Sequence, residues 1–289
     1  MAFSDNRVTV VVLTHARDRE VAKTVESLLA LPEHPAIIVV DNGSRDGTSD
    51  ILLRRFPSIR IIALESNIGA AARNVGIRAA STPYVALCDD DTWWAAGSLR
   101  RAADVLDGQP HVAVLTARVL VGAEEQEDPT CRRMEHSPLT AESDLPGTPI
   151  LGFLAGASMI RRTAFLSVGG FEPRFFLGGE EALFAVDLAA AGWQMMYMRE
   201  VIVHHYPSHY RDAGARRRLL LRNALWFTWL RRPWPSAIRQ TGRLLRPALG
   251  DPHEAWGFFQ AVAGLPWIIR RRRPLPAAVE AALLKLGDS

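Results

Sequence analysis

Cysteine is scarce in this 289-residue chain, with Cys88 and Cys131 as the two thiols. Two thiols exclude a disulfide framework. Cys88 in an apolar run and Cys131 in a polar segment predict a reduced, cytoplasmic setting. The N-terminal residues 1–7 lead straight into an apolar run and lack the layout of a signal peptide. Long apolar runs are also missing. Residues 219–230 are interrupted by Arg222 and Asn223, and residues 255–269 by Gln260 and Pro266. Neither reaches the roughly 20 apolar residues of a membrane-spanning helix. No internal repeat is present, which excludes repeat architectures.

Acidic residues are few at one end. Residues 211–289 hold fourteen Arg and one Lys against five acids, about +10, which leaves residues 1–210 near −7 within a net charge of +3. Five of the eight Trp lie there too: Trp226, Trp229, Trp234, Trp256 and Trp267. Basic residues beside Trp, Phe and Leu suit helices lying on an anionic membrane surface. The same Trp side chains could instead pack the tail onto the rest of the molecule. With no recognised reading module among these residues, nucleic acid is not an expected partner.

What the chain does have is a core and an alternating pattern. At 48% hydrophobic and 22% charged residues it is a globular protein, long enough for one large domain and an appendage or for two modest domains. Strand-like runs at 8–13, 36–40, 59–64 and 84–88 alternate with helical spacing at 18–31, 48–56, 70–80 and 98–106. A helix is expected to begin near Thr92. This alternation predicts an α/β fold, a Rossmann-like, mostly parallel sheet flanked by helices. Ligands then bind beyond the carboxyl ends of the strands. Thr14 to Arg17, Asp41 to Ser44, Ser66-Asn67 and Asp89-Asp90-Asp91 all fall at that edge. Residues 121–150, rich in Glu, Asp, Pro, Ser and Thr, read as a mobile excursion. Strand character returns at 150–160, helical spacing at 180–191 and a last strand at 197–204, before a helical, basic tail.

Three constellations carry chemistry. Asp41 closes a strand before a turn containing Gly43 and Gly47, where a carboxylate can accept from a nucleobase or a ribose hydroxyl. Asn67 to Gly76 sets small residues at 69–72 by a helix N-terminus that favours phosphate, with Arg73 adding positive charge. Asp89, Asp90 and Asp91 end an apolar strand with no Lys or Arg nearby in sequence. Such a cluster suits Mg²⁺ or Mn²⁺, although a solvated acidic turn is the plainer alternative. On an extended segment Asp89 and Asp91 face one side and Asp90 the other.

These residues, together with Val10 to Arg17, Gly169 to Phe176, Gly178-Gly179-Glu180-Glu181 and His204-His205, resemble glycosyltransferase family 2. Its members are inverting, nucleotide-sugar-dependent enzymes of the GT-A fold, and the likeness spans about residues 8–210. The resemblance implies a donor half over 1–120, the loop at 121–150, an acceptor and catalytic half over 151–210, and a helical extension over 211–289. It implies a nucleoside diphosphate sugar held by Thr14, Arg17, Asp41, Asn67, Arg73, Asp89 and Asp90. A divalent cation, Mn²⁺ or Mg²⁺, would sit on Asp91, Asp89 and His205. Family members usually carry Glu-Asp where this chain has Glu180-Glu181. The register set by Ala191-Gly192-Trp193 puts Glu181 at the general-base position, with Glu180 as fallback. The acceptor, a saccharide or lipid-linked saccharide, is expected against Trp93, Trp94 and Gly156. The expected location is the cytoplasm, peripheral on the inner face of the membrane.

Two other readings stay open at this stage. A sugar nucleotidyltransferase normally opens with a glycine-rich phosphate loop after the first strand, but residues 14–18 contain no glycine. A catalytically impaired nucleotide-sugar binder would explain the Glu-Glu departure but not the retention of both Asp89 and Asp91.

Overall fold

The computed structural model describes residues 6–141, 144–207, 213–248 and 252–287. The β-branched run at the start forms β1 (Val8–Thr14), buried along nearly its whole length. There follow α1 (Asp18–Leu29), β2 (Ala36–Asp41), α2 (Thr48–Arg55), β3 (Arg60–Ala63), α3 (Ala72–Ala79) and β4 (Tyr84–Asp89). The strands β3, β2, β1 and β4 lie side by side and all parallel. The small residues of α3 serve packing as well as access. A Cβ on Gly76 would come within 2.4 Å of Val11 Cγ1, so glycine lets α3 settle onto the sheet.

The second half is mixed. After β5 (Thr92–Trp94), α4 (Ser98–Gly108), β6 (Val112–Val121), β7 (Gln126–Glu127), α5 (Pro129–Glu135) and β8 (Thr148–Pro149) come β9 (Ser158–Arg161), α6 (Arg162–Val168), α7 (Glu180–Ala190) and β10 (Gln194–His205). β9 runs antiparallel between β4 and β6, and β10 is parallel to β6 but antiparallel to β5. The parallel character therefore holds for β1 to β4, and the sheet is mixed from β5 onward.

Three local expectations change. No helix begins at Thr92, because residues 92–94 pair with 203–205 as β5, and α4 starts at Ser98. Residues 150–157 are loop and a 3-10 turn, so strand begins only at Ser158. The segment 121–150, expected without regular elements, contains β7, α5 and β8 among its described residues. Asp128 caps α5 by accepting from the Thr130 amide at 2.7 Å, with Pro129 in the first turn. Cys131 is fully buried under that helix rather than in a polar loop, and burial pushes its thiol up to about 11.

The tail forms α8 (Ala213–Arg231), α9 (Trp234–Ala248), α10 (Pro252–Ala263), α11 (Leu265–Arg271) and α12 (Ala277–Gly287). Leu221, Leu225, Trp226 and Leu230 of α8 share a second core with Phe175, Leu183, Ala261 and Ile268. Arg231 clamps Asp187 of α7 through Nε and Nη2 at 2.5 and 2.9 Å. Trp226 is buried and donates Nε1 to Ala261 O, whereas Trp234 and Trp256 are 63% and 55% exposed. The tail Trp residues thus divide between packing and surface. Among the described residues no helix is long and apolar enough to cross a membrane.

Candidate active site

The strand ends of the donor half converge as expected. A cavity of about 380 Å³ is lined by Thr14, His15, Arg17, Asn42, Asn67, Gly69, Arg73, the three aspartates, Phe176, Leu177 and His205. A neighbouring cavity of about 510 Å³ shares His15 and Asn67 with it and adds Gly43, Arg45, Asp46 and Ser66.

The triplet, unpaired in sequence, is paired by tertiary structure. Asp90 is buried and accepts from Thr14 Oγ1 at 3.1 Å and Arg17 Nη1 at 2.8 Å, while Thr24 Oγ1 donates to its carbonyl at 2.8 Å. Burial pushes its carboxyl up to about 6 against the opposing pull of Arg17. Asp91 takes a longer contact from Arg17 at 3.4 Å and stands 3.6 Å from His205 Nε2. Asp89, the most open of the three, forms an ion pair with Arg73 at the start of α3. Thr14 and Arg17 therefore brace Asp90 from the end of β1.

The expected cation set of Asp91, Asp89 and His205 is not assembled, because Asp89 is turned to Arg73. Among the described residues no cluster of three His, Cys, Asp or Glu side chains has a metal-holding arrangement. Asp91 and His205 still fit a hard divalent ion as a pair. Their 3.6 Å separation is under twice a metal–ligand distance of roughly 2.1 Å, and such ions take remaining ligands from water and phosphate oxygens.

Asp41 reaches the sheet edge but does not face the cavities. It is 3% exposed, with one oxygen accepting from the Ser44 amide and the other from Ser49 Oγ. Its carboxylate anchors the 43–49 turn. Asn42, which sequence reasoning left inside that turn, is the hub instead. Its Nδ2 donates to Asn67 Oδ1 and Gly69 O at 2.9 and 3.1 Å, and its Oδ1 accepts from the Ile68 amide at 2.9 Å. An Asn after a strand-end Asp was the sole signal in the sequence.

Glu180 and Glu181 open α7 behind Arg73 and Asp89. Glu181 Oε1 accepts from the Ala155 amide at 2.7 Å, which accommodates the longer side chain. Burial, with Glu180 adding like charge, pushes Glu181 up to about 7. Burial also raises Glu180, which is 5% exposed. Glu180 Oε2 and Arg73 Nε are buried and lack hydrogen-bond partners among the described residues.

The acceptor residues separate. Trp93 is half-buried and stacks on Tyr206 and His204, with ring centroids 5.0 and 5.9 Å apart. Trp94 is fully buried with Nε1 donating to Leu87 O, so packing excludes it from an acceptor contact. Gly156 is spacing for a carboxylate, since a Cβ there would lie 2.6 Å from Asp89 Oδ2.

A twisted α/β sheet with a carboxylate triplet at the edge of its parallel half, and a second acidic pair on the opposing half, defines a GT-A glycosyltransferase. The family model for glycosyl transferase family 2 matches residues 9–169, more than half of the chain, and the protein belongs to that family. An N-acetylglucosaminyl-diphospho-decaprenol L-rhamnosyltransferase of Mycobacterium tuberculosis is 26% identical over 69% of this chain and 76% of its own length. A pre-mycofactocin glycosyltransferase of the same organism is 30% identical over 74% of this chain, which spans 46% of that relative. Mannosyltransferase PcManGT from Pyrobaculum calidifontis, solved with GDP-Man and Mn2+, has the same fold. Its TM-score is 0.60 at 18% identity, covering 98% of this chain and 86% of that one. S. aureus TarS, solved with UDP-GlcNAc, matches with a TM-score of 0.61 at 17% identity, covering 98% and 88%.

Proposed function

We propose that this glycosyltransferase moves a sugar, with inversion, from a nucleoside diphosphate sugar to a hydroxyl of a saccharide or lipid-linked saccharide. The observation that carries this reading is the convergence of Arg73 of α3 with Asp89, Asp90 and Asp91 at the end of β4 on one cleft, with Glu181 of α7 near enough to Arg73 for its charge to act on that guanidinium. The larger lobe beyond His15 and Asn67 suits the nucleoside, and the lobe bounded by Arg73, Asp91 and His205 suits the diphosphate. A divalent cation on Asp91 and His205 would offset charge on the leaving diphosphate.

The chain's own groups do the rest. Glu181 takes the proton of the acceptor hydroxyl while the acceptor oxygen bonds to the anomeric carbon and the bond to the diphosphate breaks. A base poised near pH 7 suits that proton transfer. Arg73 stabilises the growing negative charge on the departing side. Glu181→Gln separates the steps, because transfer should fall on the order of 100-fold or more while nucleotide binding persists. Undiminished transfer would remove Glu181 from the role. Asp91→Asn should abolish any Mn²⁺-dependent thermal shift by nucleoside diphosphate while leaving the metal-free shift in place.

The acceptor is assigned to an anionic membrane surface at the cytoplasmic face. The tail supports this through a stripe at helical spacing, Trp256, Phe259, Val262 and Ile269, that is exposed along α10 and α11 and flanked by Arg270, Arg271 and Arg273. An apolar stripe bordered by guanidinium groups is the pattern of an interfacial helix. The rhamnosyltransferase relative bears a lipid-linked acceptor in its name, which agrees with such a placement. Sedimentation with anionic and with neutral vesicles tests it, and equal partitioning into both would count against it.

A further inference from the structure

The loop that leads into Glu180 and Glu181 contains a strained turn. Phe176 sits at φ 60° and ψ −65°, and the Leu177 amide donates to Phe175 O at 2.7 Å. This is a γ-turn at positive φ, rare and unfavourable for a residue with a side chain. Such backbone persists only where its surroundings over-determine it.

Two sets of contacts do so, from opposite sides. On the donor side, the Ala70 amide donates to Phe176 O at 2.6 Å, and a Cβ on Gly69 would collide with that same oxygen. On the other side stands Asn223 of α8, fully buried. Its Nδ2 donates to the carbonyls of Phe175, Leu177 and Gly178 at 2.8, 3.1 and 2.5 Å. The neighbouring Arg222 Nη2 reaches the carbonyls of Arg174 and Phe175 at 3.2 and 3.0 Å. One amide group with two protons serves three acceptors, so its entire donor capacity goes to this loop. Phe176 and Leu177 in turn line the cavity, and Gly179 is the N-cap of α7, immediately before the two glutamates.

We propose that Asn223 is a positioning residue for sugar transfer. By holding the γ-turn it fixes the start of α7, so that Glu181 stands where it can receive the acceptor's proton. The role rests on the assignment of Glu181 as base, and it ties the tail helix α8 to the geometry of the site.

The test uses the full-length chain carrying Asn223→Ala and Asn223→Asp, the second nearly isosteric but unable to donate when ionised. The measurements are kcat, donor KM, the pH profile of kcat/KM and amide hydrogen exchange by peptide. The expected result is a kcat loss of roughly 10- to 100-fold, since small misplacement of a reacting group has that effect. Donor KM should stay within about threefold, the pH limb set by Glu181 should move, and exchange should accelerate in 174–180 but not in β1 or β4. Parental kcat with a parental pH limb overturns the proposal. If neither Asn223 variant melts cooperatively, Arg222→Ala carries the same comparison, with a several-fold loss of kcat expected and parental kcat and exchange overturning it. A parent that transfers nothing from any donor sinks the reading of the site itself, whereas faster exchange with parental kcat sinks the positioning role alone.

Discussion

Glu181 shows how burial, with a like charge from Glu180, can prepare a carboxylate for base chemistry. Held near pH 7, it is protonated in a growing fraction of molecules as pH falls below that point. The kcat/KM of the parent should therefore rise through about pH 7 to a plateau, and a profile flat from pH 5 to 9 would exclude this assignment. Stability moves in the opposite sense. A carboxyl whose folded pKa lies above its ordinary 4.5 contributes fully below about pH 4.5 and loses that contribution as pH rises through 7. Glu181→Gln does not titrate, so above pH 7 it should be more stable than the parent by about 3 kcal/mol, with little difference at pH 4. Urea melts at the two pH values measure this. The Trp pair gives a second residue-scale contrast. Trp94→Ala should cost about 3–5 kcal/mol of stability. Trp93→Ala should cost far less stability and act instead on acceptor KM, which steady-state kinetics at varied acceptor would read.

At the scale of elements, the donor half was legible because its evidence is local. The apolar run of β1 and the helical spacing of α1 repeat within windows of about ten residues, and each polar cluster directly follows a strand. The other half was harder for a physical reason. β5 exists because it pairs with β10, more than a hundred residues away, and no local pattern announces such a partner. The acidic, proline-containing stretch before α5 looked like loop, although Asp128-Pro129 is itself a cap and first turn. The 69–70 turn offers a test. Gly69 has φ +67° and its missing Cβ makes room for Phe176 O, so Gly69→Ala meets both positive φ and a backbone collision. A loss of about 2 kcal/mol or more is expected in thermal melts, with nucleotide affinity falling alongside.

At the scale of the molecule, the tail is a second layer on the catalytic half rather than a loose appendage. Removing residues 213–287 would expose Phe175 and Leu183 and leave Asp187 without Arg231. Such a truncation should be poorly soluble and inactive, and expression with gel filtration would show a stable soluble core if the tail were dispensable. The outward stripe is separable from this packing. Ile269, 73% exposed, can become Glu with little effect on folding, and Ile269→Glu should weaken sedimentation with anionic vesicles at unchanged melting temperature. Loss of both together would assign the residue to packing instead.

The sequence by itself determined the alternating α/β order, the edge of the sheet where the polar clusters gather, and the residue types of the cleft. Those follow from periodicity and from polar groups placed at strand ends. The tertiary structure decided which of those residues meet. It turned Asp41 into its own loop, gave Asp89 to Arg73, left Asp91 beside His205, and brought Asn223 to the loop before Glu181. Contacts between side chains far apart in sequence depend on how helices and strands pack. That information is spread over the whole chain and is present in no single motif.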